Sequence, residues 1–512
     1  MFSHMFTKRL FRHLMKIKNP LIKGTLILTI AGFLSRILGF YNRIFLSRFI
    51  GAKEVGIYQL IFPVYLLCFS ICCQGIETSI SRMIASCPPN RPKLRHKVLL
   101  TGISFSFSLS LVAYGILYFF ATPISNSILN EPACAICLKI ISFALPFVSI
   151  KACILGYELG MTNSLLPAST QLIEQLIRVG SIYALSVTLF SNQKAHADVA
   201  VFGMAVGEIG SFFFLVALFL YRERKERCFD EPTPLPYKKL AKELLHDSIP
   251  LTSNRLVLTL LQSAEAVLIP SAFLTFYQDK DISLEVYGIL TGMVMPFIFF
   301  PSAITNSLSV MLLPTISSAK ARKQKDLICK ASSKSIYYSI LIGIFSCFLF
   351  LFYGKELGYF IFHSRSAGEL LFMMALICPF TYLTTTLSSI LNGLGKTSKT
   401  FLHNMIASGV ILFFVIYAIP RYGITGYLWG LLASDLILIA LHLIVILTET
   451  RLSFEPYVAL LKPACIACIS GGISYLILPN INNLYQLFFK CGIYGCSVVL
   501  GVALFAHKDF TN

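Results

Sequence analysis

Charge is scarce in this sequence. Asp, Glu, Lys and Arg make up 13% of the 512 residues against 56% hydrophobic ones, and the mean hydropathy is +0.74. Such a composition describes a polytopic membrane protein and excludes a soluble one. Acids are scarcer than bases, 24 against 43. The resulting +19 suggests nucleic acid until the charges are located. They lie in short loops between apolar spans, where the positive-inside rule expects them and where they meet anionic lipid, not nucleic acid. Strict polar–apolar alternation is missing from the apolar runs, which excludes a closed β-barrel. Long polar segments are missing too. No loop exceeds about 25 residues and no metal or nucleophile cluster is evident, so neither an enzyme nor a metal or other cofactor is expected. Fifteen cysteines are scattered through apolar runs. Cys134 with Cys137 and Cys465 with Cys468 have metal-like spacing, but no His or carboxylate cluster completes a site, and both pairs read as packing residues. No cleavable signal peptide is expected, because basic residues from Lys8 to Lys23 precede a first span that lacks a small-residue cleavage site.

What is present is a series of fourteen apolar runs. They lie at roughly 22–48, 55–84, 97–121, 134–157, 165–190, 199–221, 245–272, 286–316, 334–353, 367–391, 400–419, 424–447, 457–478 and 484–506. The expected fold is all-α, with about fourteen transmembrane helices. If the N-terminus is cytoplasmic, 27 Lys and Arg fall in cytoplasmic segments and seven outside. That asymmetry favours both termini in the cytoplasm and an even number of spans.

The 222–244 segment is the one long polar linker, and its charges and prolines mark a lobe boundary. Weak echoes lie on either side of it. Leu159-Gly160-x-Thr162 returns as Leu394-Gly395-x-Thr397, and Val55-Gly56-Ile57 with Pro63 returns as Tyr287-Gly288-Ile289 with Pro296. The reading is an N-terminal lobe over 1–221, the basic linker 222–244, a C-terminal lobe over 245–447, and two further spans over 448–512. The lobes would be parallel repeats related by an axis along the membrane normal.

The most informative stretch is the first span. Arg36 sits near its middle and Arg43 about two turns further on. Gly32, Ser35, Arg36, Gly39 and Arg43 share one small, polar, cationic face of a helix. A charge at the bilayer centre costs at least ~2.5–3.5 kcal/mol, so that face should meet protein or water and not lipid. Snorkelling to the headgroups is the alternative; it suits Arg48 well, Arg43 partly and Arg36 badly. The fifth span carries Gln171, Glu174, Gln175 and Arg178 as a second stripe. Glu174 and Arg178 stand one turn apart and can pair, either as a structural ion pair or as a gate. In the seventh span Ser248, Thr252, Arg255, Thr259 and Gln262 form a third stripe, with Glu265 about a quarter-turn away. Glu208, Asp435 and His442 stand alone, as proton or ion sites or as helix–helix hydrogen-bonding groups. Pro63, Pro146, Pro167, Pro296, Pro301 and Pro379 permit kinks and bending. Inward-facing cations on three helices select an anionic substrate, whereas an exporter of cationic drugs would want an unpaired carboxylate.

The runs SRILGFYNRIFLSRFIGA, GIYQLIFPVYLL, GYELGMTNSLLPASTQLIEQLIRV and SIPLTSNRLVLTLLQSAEAVLIP resemble the family of stage V sporulation protein B and the oligosaccharide flippases. That family shares a superfamily with the lipid II flippase and the multidrug extrusion antiporters. The likeness runs from about Leu21 to the last span. It implies two six-helix lobes that rock between inward- and outward-open states in the bacterial cytoplasmic membrane. It also implies a lipid-linked cell-wall precursor as cargo, such as undecaprenyl-pyrophosphate-linked muropeptide or another lipid-linked oligosaccharide. Ser35 and Arg36 match the Ser-Arg opening of the lipid II flippase's first-helix motif, whose arginine lines a cationic cavity. Asn42-Arg43 stands where that flippase has Arg-Asp. Cys68-Phe69 falls near its second-helix cationic pair, and Thr291-Gly292 near its eighth-helix Asp-Arg. These departures favour the sporulation branch, where Asp is usual at the position of Glu265. By the same resemblance the last two spans help form a groove for a polyprenyl tail.

The leading expectation is a flippase whose cargo pyrophosphate docks on Arg36, Arg43 and Arg255, beside Ser35. Glu174, Arg178, Gln171, Gln262 and Glu265 would act as gating or ion-pair residues, with energy from the membrane potential or a coupled ion. A scaffold recruiting wall-synthesis enzymes through its basic loops is the alternative of another class, and a cation-coupled drug antiporter is the third.

Overall fold

A backbone surrounded by lipid has no water to bond, and an α-helix satisfies its own N–H and C=O groups within the segment. The apolar runs fold accordingly. The computed structural model describes residues 20–88, 91–188, 196–225, 237–450, 457–478, 481 and 483–505. The basic residues Lys8 to Lys18, the middle of the 222–244 linker, Lys194, Arg451 and Lys508 lie outside the described residues.

Among the described residues, beside two short helices, Ala121–Ser127 and Ile419–Tyr422, fourteen helical segments are present. The first seven are α1 (Pro20–Phe49), α2 (Ala52–Ser86), α3 (Pro92–Phe119), α4 (arms Cys134–Ser142 and Leu145–Gly160), α5 (Leu165–Thr188), α6 (Ala197–Lys225) and α7 (Tyr237–Tyr277). The other seven are α8 (arms Lys280–Ile298 and Ser302–Ala321), α9 (Lys325–Phe362), α10 (Arg365–Gly393), α11 (Thr397–Tyr417), α12 (Ile424–Glu449), α13 (Lys462–Ile477) and α14 (Leu484–Phe505). Each overlaps one apolar run of the sequence, and no strand occurs among the described residues. Among those residues ten helices are long and apolar enough to cross a membrane, or eleven if the bent α4 counts as one span. This is an all-α, multi-pass membrane protein.

Three segments fall outside that test, two of them for legible reasons. The apolar run of α5 is interrupted by Gln171, Glu174, Gln175 and Arg178. The regular part of α13 has 16 residues and follows a π-helical turn over Tyr457–Leu461. Within α1 the stretch 24–41 is apolar with the single charge Arg36, and Lys23, Arg43 and Arg48 flank it. Breaks in other helices have local causes. The arms of α4 meet at 46°, and the second opens with Pro146 in its first turn, where a missing N–H costs nothing. Wide π-helical turns occur over Ser70–Gln74 in α2 and Ile289–Val294 in α8.

By packing, the chain divides into two units, Met1–Asn42 with Ile57–Ser263, and Arg43–Gly56 with Ala264–Asn512. The first has an aliphatic core that includes Ile76, Ile80, Ile84, Leu99, Ile154 and Leu244. In it α5 packs closely on α6, and α4 packs on α3 and on the second half of α2. The second unit is built around Ile316, Leu387, Ile390, Leu391 and Ile446. There α9 packs against α10, α11 against α12, and α13 and α14 pack on each other and on α9. Gly56 and Gly288, the glycines of the sequence echo, lie against each other in this unit: a Cβ on Gly288 would stand 2.6 Å from the Gly56 amide nitrogen.

Candidate functional site

The polar face of α1 divides between buried and exposed groups. Ser35 and Asn42 are buried, and the Ser35 hydroxyl and the Asn42 Oδ1 have no hydrogen-bond partner among the described residues. Arg36 is exposed, with no carboxylate within 4.0 Å among the described residues. Arg43 is half-buried and its Nη1 donates to the Thr291 carbonyl at 3.5 Å, the long limit for such a bond. Arg48 is held more firmly. Its Nε donates to the Ile361 carbonyl at 2.8 Å, and its Nη2 to the Ile361 and Phe360 carbonyls at 2.6 and 3.0 Å. Those carbonyls belong to the last turn of α9, which has no helical N–H left to satisfy them. The guanidinium therefore works as a C-terminal cap and not as a free cation.

Arg255 is also exposed, on α7 of the first unit, with no carboxylate within 4.0 Å among the described residues. Its charge acts on Glu77 of α2 at longer range, as does that of Lys151. The helices approach closely here, because a Cβ on Gly75 would overlap the Thr252 hydroxyl. Gln171 and Gln262 are exposed, and Glu265 is half-buried.

The densest polar cluster centres on Lys151, which belongs to none of the three polar stripes. Its ammonium donates to Glu174 of α5 at 3.0 Å, to Glu208 of α6, and to the Ser211 hydroxyl at 3.1 Å. Arg178 bridges Glu174 at 2.7 Å and approaches Glu208 at 3.6 Å, while the Tyr65 hydroxyl of α2 donates to Glu208 at 3.2 Å. Two cations and two anions, tied to four helices, sum to zero charge. That balance is what makes a buried cluster tolerable in a low-dielectric interior. Gly207 allows the geometry, since a Cβ there would stand 3.0 Å from the Arg178 Cβ and 3.1 Å from the Glu174 carbonyl. Glu208 is thus a network member, not an isolated group. The sequence signal for Lys151 was a single lysine inside PFVSIKACILGY; its partners come from other helices, so no periodicity announces them.

In the second unit, Glu265 accepts from the Tyr427 hydroxyl at 3.2 Å and Asp435 from the Thr381 hydroxyl at 2.5 Å. Neither has a basic partner within 4.0 Å among the described residues. His442 shares a hydrogen bond with Ser388 at 3.1 Å, and its ring centre lies 5.0 Å from that of His403. No group of three His, Cys, Asp or Glu among the described residues could hold a metal ion. Cys134 and Cys137 are buried in α4, and Cys465 and Cys468 are exposed on α13.

Comparison with known proteins places the chain. The family model described as "Polysaccharide biosynthesis protein" matches residues 21–320, more than half of the sequence. Stage V sporulation protein B of Bacillus subtilis (strain 168) is 26% identical over 431 residues, covering 83% of each chain. The lipid II flippase MurJ of the same organism is 23% identical over 406 residues, covering 74% of this chain and 73% of the relative. A solved structure of the lipid II flippase MurJ in an inward closed conformation superposes with a TM-score of 0.74 at 16% identity, covering 95% of this chain and all of that one. An inward-facing multidrug resistance MATE family transporter superposes at 0.58 with 14% identity over 83% of this chain and 98% of that one. These likenesses establish a shared fold. The matched family model makes the chain a member of the polysaccharide biosynthesis protein family, with stage V sporulation protein B and the lipid II flippase MurJ among its relatives.

Proposed function

We propose that this protein is a flippase that moves an anionic, lipid-linked cell-wall or polysaccharide precursor across the bacterial cytoplasmic membrane by alternating access. The observation that carries the reading is Arg36, a guanidinium near the middle of α1 that is exposed and has no carboxylate partner among the described residues. A mid-membrane cation cannot rest in hydrocarbon at the cost of several kcal/mol, so water or a passing anion must meet it. Arg255 is a second exposed cation of the same unit, and Ser35 stands beside Arg36 with an unused hydroxyl. Arg43 completes the set proposed to receive the pyrophosphate. The relatives' names agree with such cargo.

Both termini lie in the cytoplasm on this reading, the two lobes are parallel repeats over 1–221 and 245–447, and 448–512 is an addition to them. The Lys151–Glu174–Arg178–Glu208 cluster holds α4, α5 and α6 together and keeps Glu174 and Arg178 from competing with the cargo. No bond is made or broken in transport, so no catalytic residue is assigned.

Cation-coupled export of drugs is a second reading, favoured by the Glu265 and Asp435 carboxylates, whose hydrogen-bond donors are neutral hydroxyls, and by the MATE-like fold. Vesicles holding either a labelled lipid-linked muropeptide or a cationic dye separate the two. The flippase reading expects movement of the anionic lipid and none of the dye, and the reverse result would favour antiport.

A further inference from the structure

The second unit holds a charged cavity that the transport reading does not use. It has a volume of about 520 Å³, within the range of small-molecule sites, and is lined by residues of α9, α13 and α14. Lys490 of α14 lines it, with only 3% of its surface exposed. The ammonium rests 5.5 Å from the Tyr353 ring centre and 5.1 Å from that of Tyr475. It has no carboxylate within 4.0 Å among the described residues. Glu356 of α9 lines the same cavity and acts on Lys490 electrostatically, yet the two do not form an ion pair. Opposite charges facing one cavity without touching leave a place for a ligand carrying both signs. Aromatic faces stabilise a buried cation but do not replace an anion.

The surroundings say where that ligand comes from. Tyr475, which lines the cavity, is 62% exposed, and on the same two helices Leu476 next to it in sequence and Phe489 next to Lys490 are 81% and 63% exposed, apolar and aromatic groups of the kind found where membrane meets water. We infer that this cavity binds the headgroup of a zwitterionic phospholipid, phosphoethanolamine above all, with its phosphate on Lys490 and its ammonium on Glu356. A pyrophosphate would set several negative charges against Glu356, so the site suits bulk lipid better than the proposed cargo. Phosphocholine lacks the N–H groups with which an ammonium would bond Glu356. The inference does not depend on the flippase reading, because it concerns lipid that need not be transported.

The full-length protein, purified in detergent, would be titrated with phosphatidylethanolamine, phosphatidylcholine and phosphatidylglycerol while intact protein–lipid complexes are counted by native mass spectrometry. Wild type should bind phosphatidylethanolamine at least tenfold more tightly than the other two. Lys490→Met should abolish that preference by weakening phosphatidylethanolamine, and Glu356→Gln should abolish it by letting phosphatidylglycerol bind as well. Gly472→Leu tests the cavity without touching a charge. A Cβ there meets nothing within 4 Å, so the added side chain fills open space and should displace the lipid. Equal binding of all three lipids by wild type, or an undiminished preference in Glu356→Gln and Gly472→Leu, would overturn the inference. Glu356→Gln and Gly472→Leu preserve the packing, so misfolding of Lys490→Met would not decide the question.

Discussion

Gly56 and Gly288 press against each other backbone to backbone. The Gly56 Cα hydrogen that faces α8 stands where a Cβ would be 2.3 Å from the Leu284 carbonyl, and a Cβ on Gly288 would be 2.0 Å from the Ala52 carbonyl. Real Cβ atoms do not approach backbone oxygens so closely, so only glycine lets α2 and α8 cross at this distance. Small residues are the usual means of bringing membrane helices together, because apolar side chains gain little by leaving lipid for one another.

Gly56→Ala or Gly288→Ala should therefore lower stability by about 1–3 kcal/mol, the usual cost of overpacking. Gly180→Ala in α5, where a Cβ meets nothing within 4 Å, should lose no stability and gain up to about 1 kcal/mol from helix propensity. Thermal unfolding of the three variants in one detergent checks the contrast. Equal melting temperatures would mean that the glycine crossing is not tight in solution.

The Lys151 cluster makes a second prediction. Removing one member of a buried, hydrogen-bonded charge set leaves its partners uncompensated, so Lys151→Met should destabilise by about 3–5 kcal/mol. Adding Glu208→Gln removes the stranded charge and should recover part of the loss. A double-mutant cycle of unfolding free energies measures this coupling, and strict additivity would show that the two side chains act independently.

Arg48 offers a milder test. Its bonds to the Phe360 and Ile361 carbonyls cap α9, and hydrogen bonds to a charged group contribute about 1.5–3 kcal/mol. Because Arg48 is exposed, the lower end applies. Arg48→Gln should reduce stability by about 1–2 kcal/mol while leaving cargo affinity unchanged, as measured by unfolding and by lipid binding on the same preparation. A loss of affinity without a loss of stability would place Arg48 among the cargo contacts instead.

Much of the fold was legible because lipid imposes one answer on an apolar run. Every segment chosen for its hydropathy overlaps a helix, and the break in α4 falls beside Pro146. The polar stripes were legible as stripes because residues three and four apart share a helix face. What lay beyond reach was pairing between helices. Lys151 has no polar neighbour three or four residues away, and its partners come from α5 and α6, so it reads as one lysine in an apolar run. Glu208 looked isolated for the same reason. The Gly56 and Gly288 motifs were visible as an echo at about 232 residues, yet nothing in the spelling says that the two copies touch. Arg48 was expected to snorkel and instead caps a helix more than 300 residues away in the sequence. The π-helical turns at Ser70–Gln74 and Ile289–Val294 left no signal in residue type.

The central claim is that an unpaired arginine within the membrane serves an anionic cargo, and Arg36→Gln tests it most directly. The side chain is exposed and lacks a carboxylate partner among the described residues, so the substitution should change stability by no more than about 0.5 kcal/mol. Headgroup translocation of a labelled lipid-linked muropeptide would be followed in proteoliposomes holding equal amounts of wild type and variant. The account predicts that wild type carries the headgroup to the far leaflet and that Arg36→Gln, equally stable and equally reconstituted, does not. Transport by the variant at the wild-type rate would contradict it.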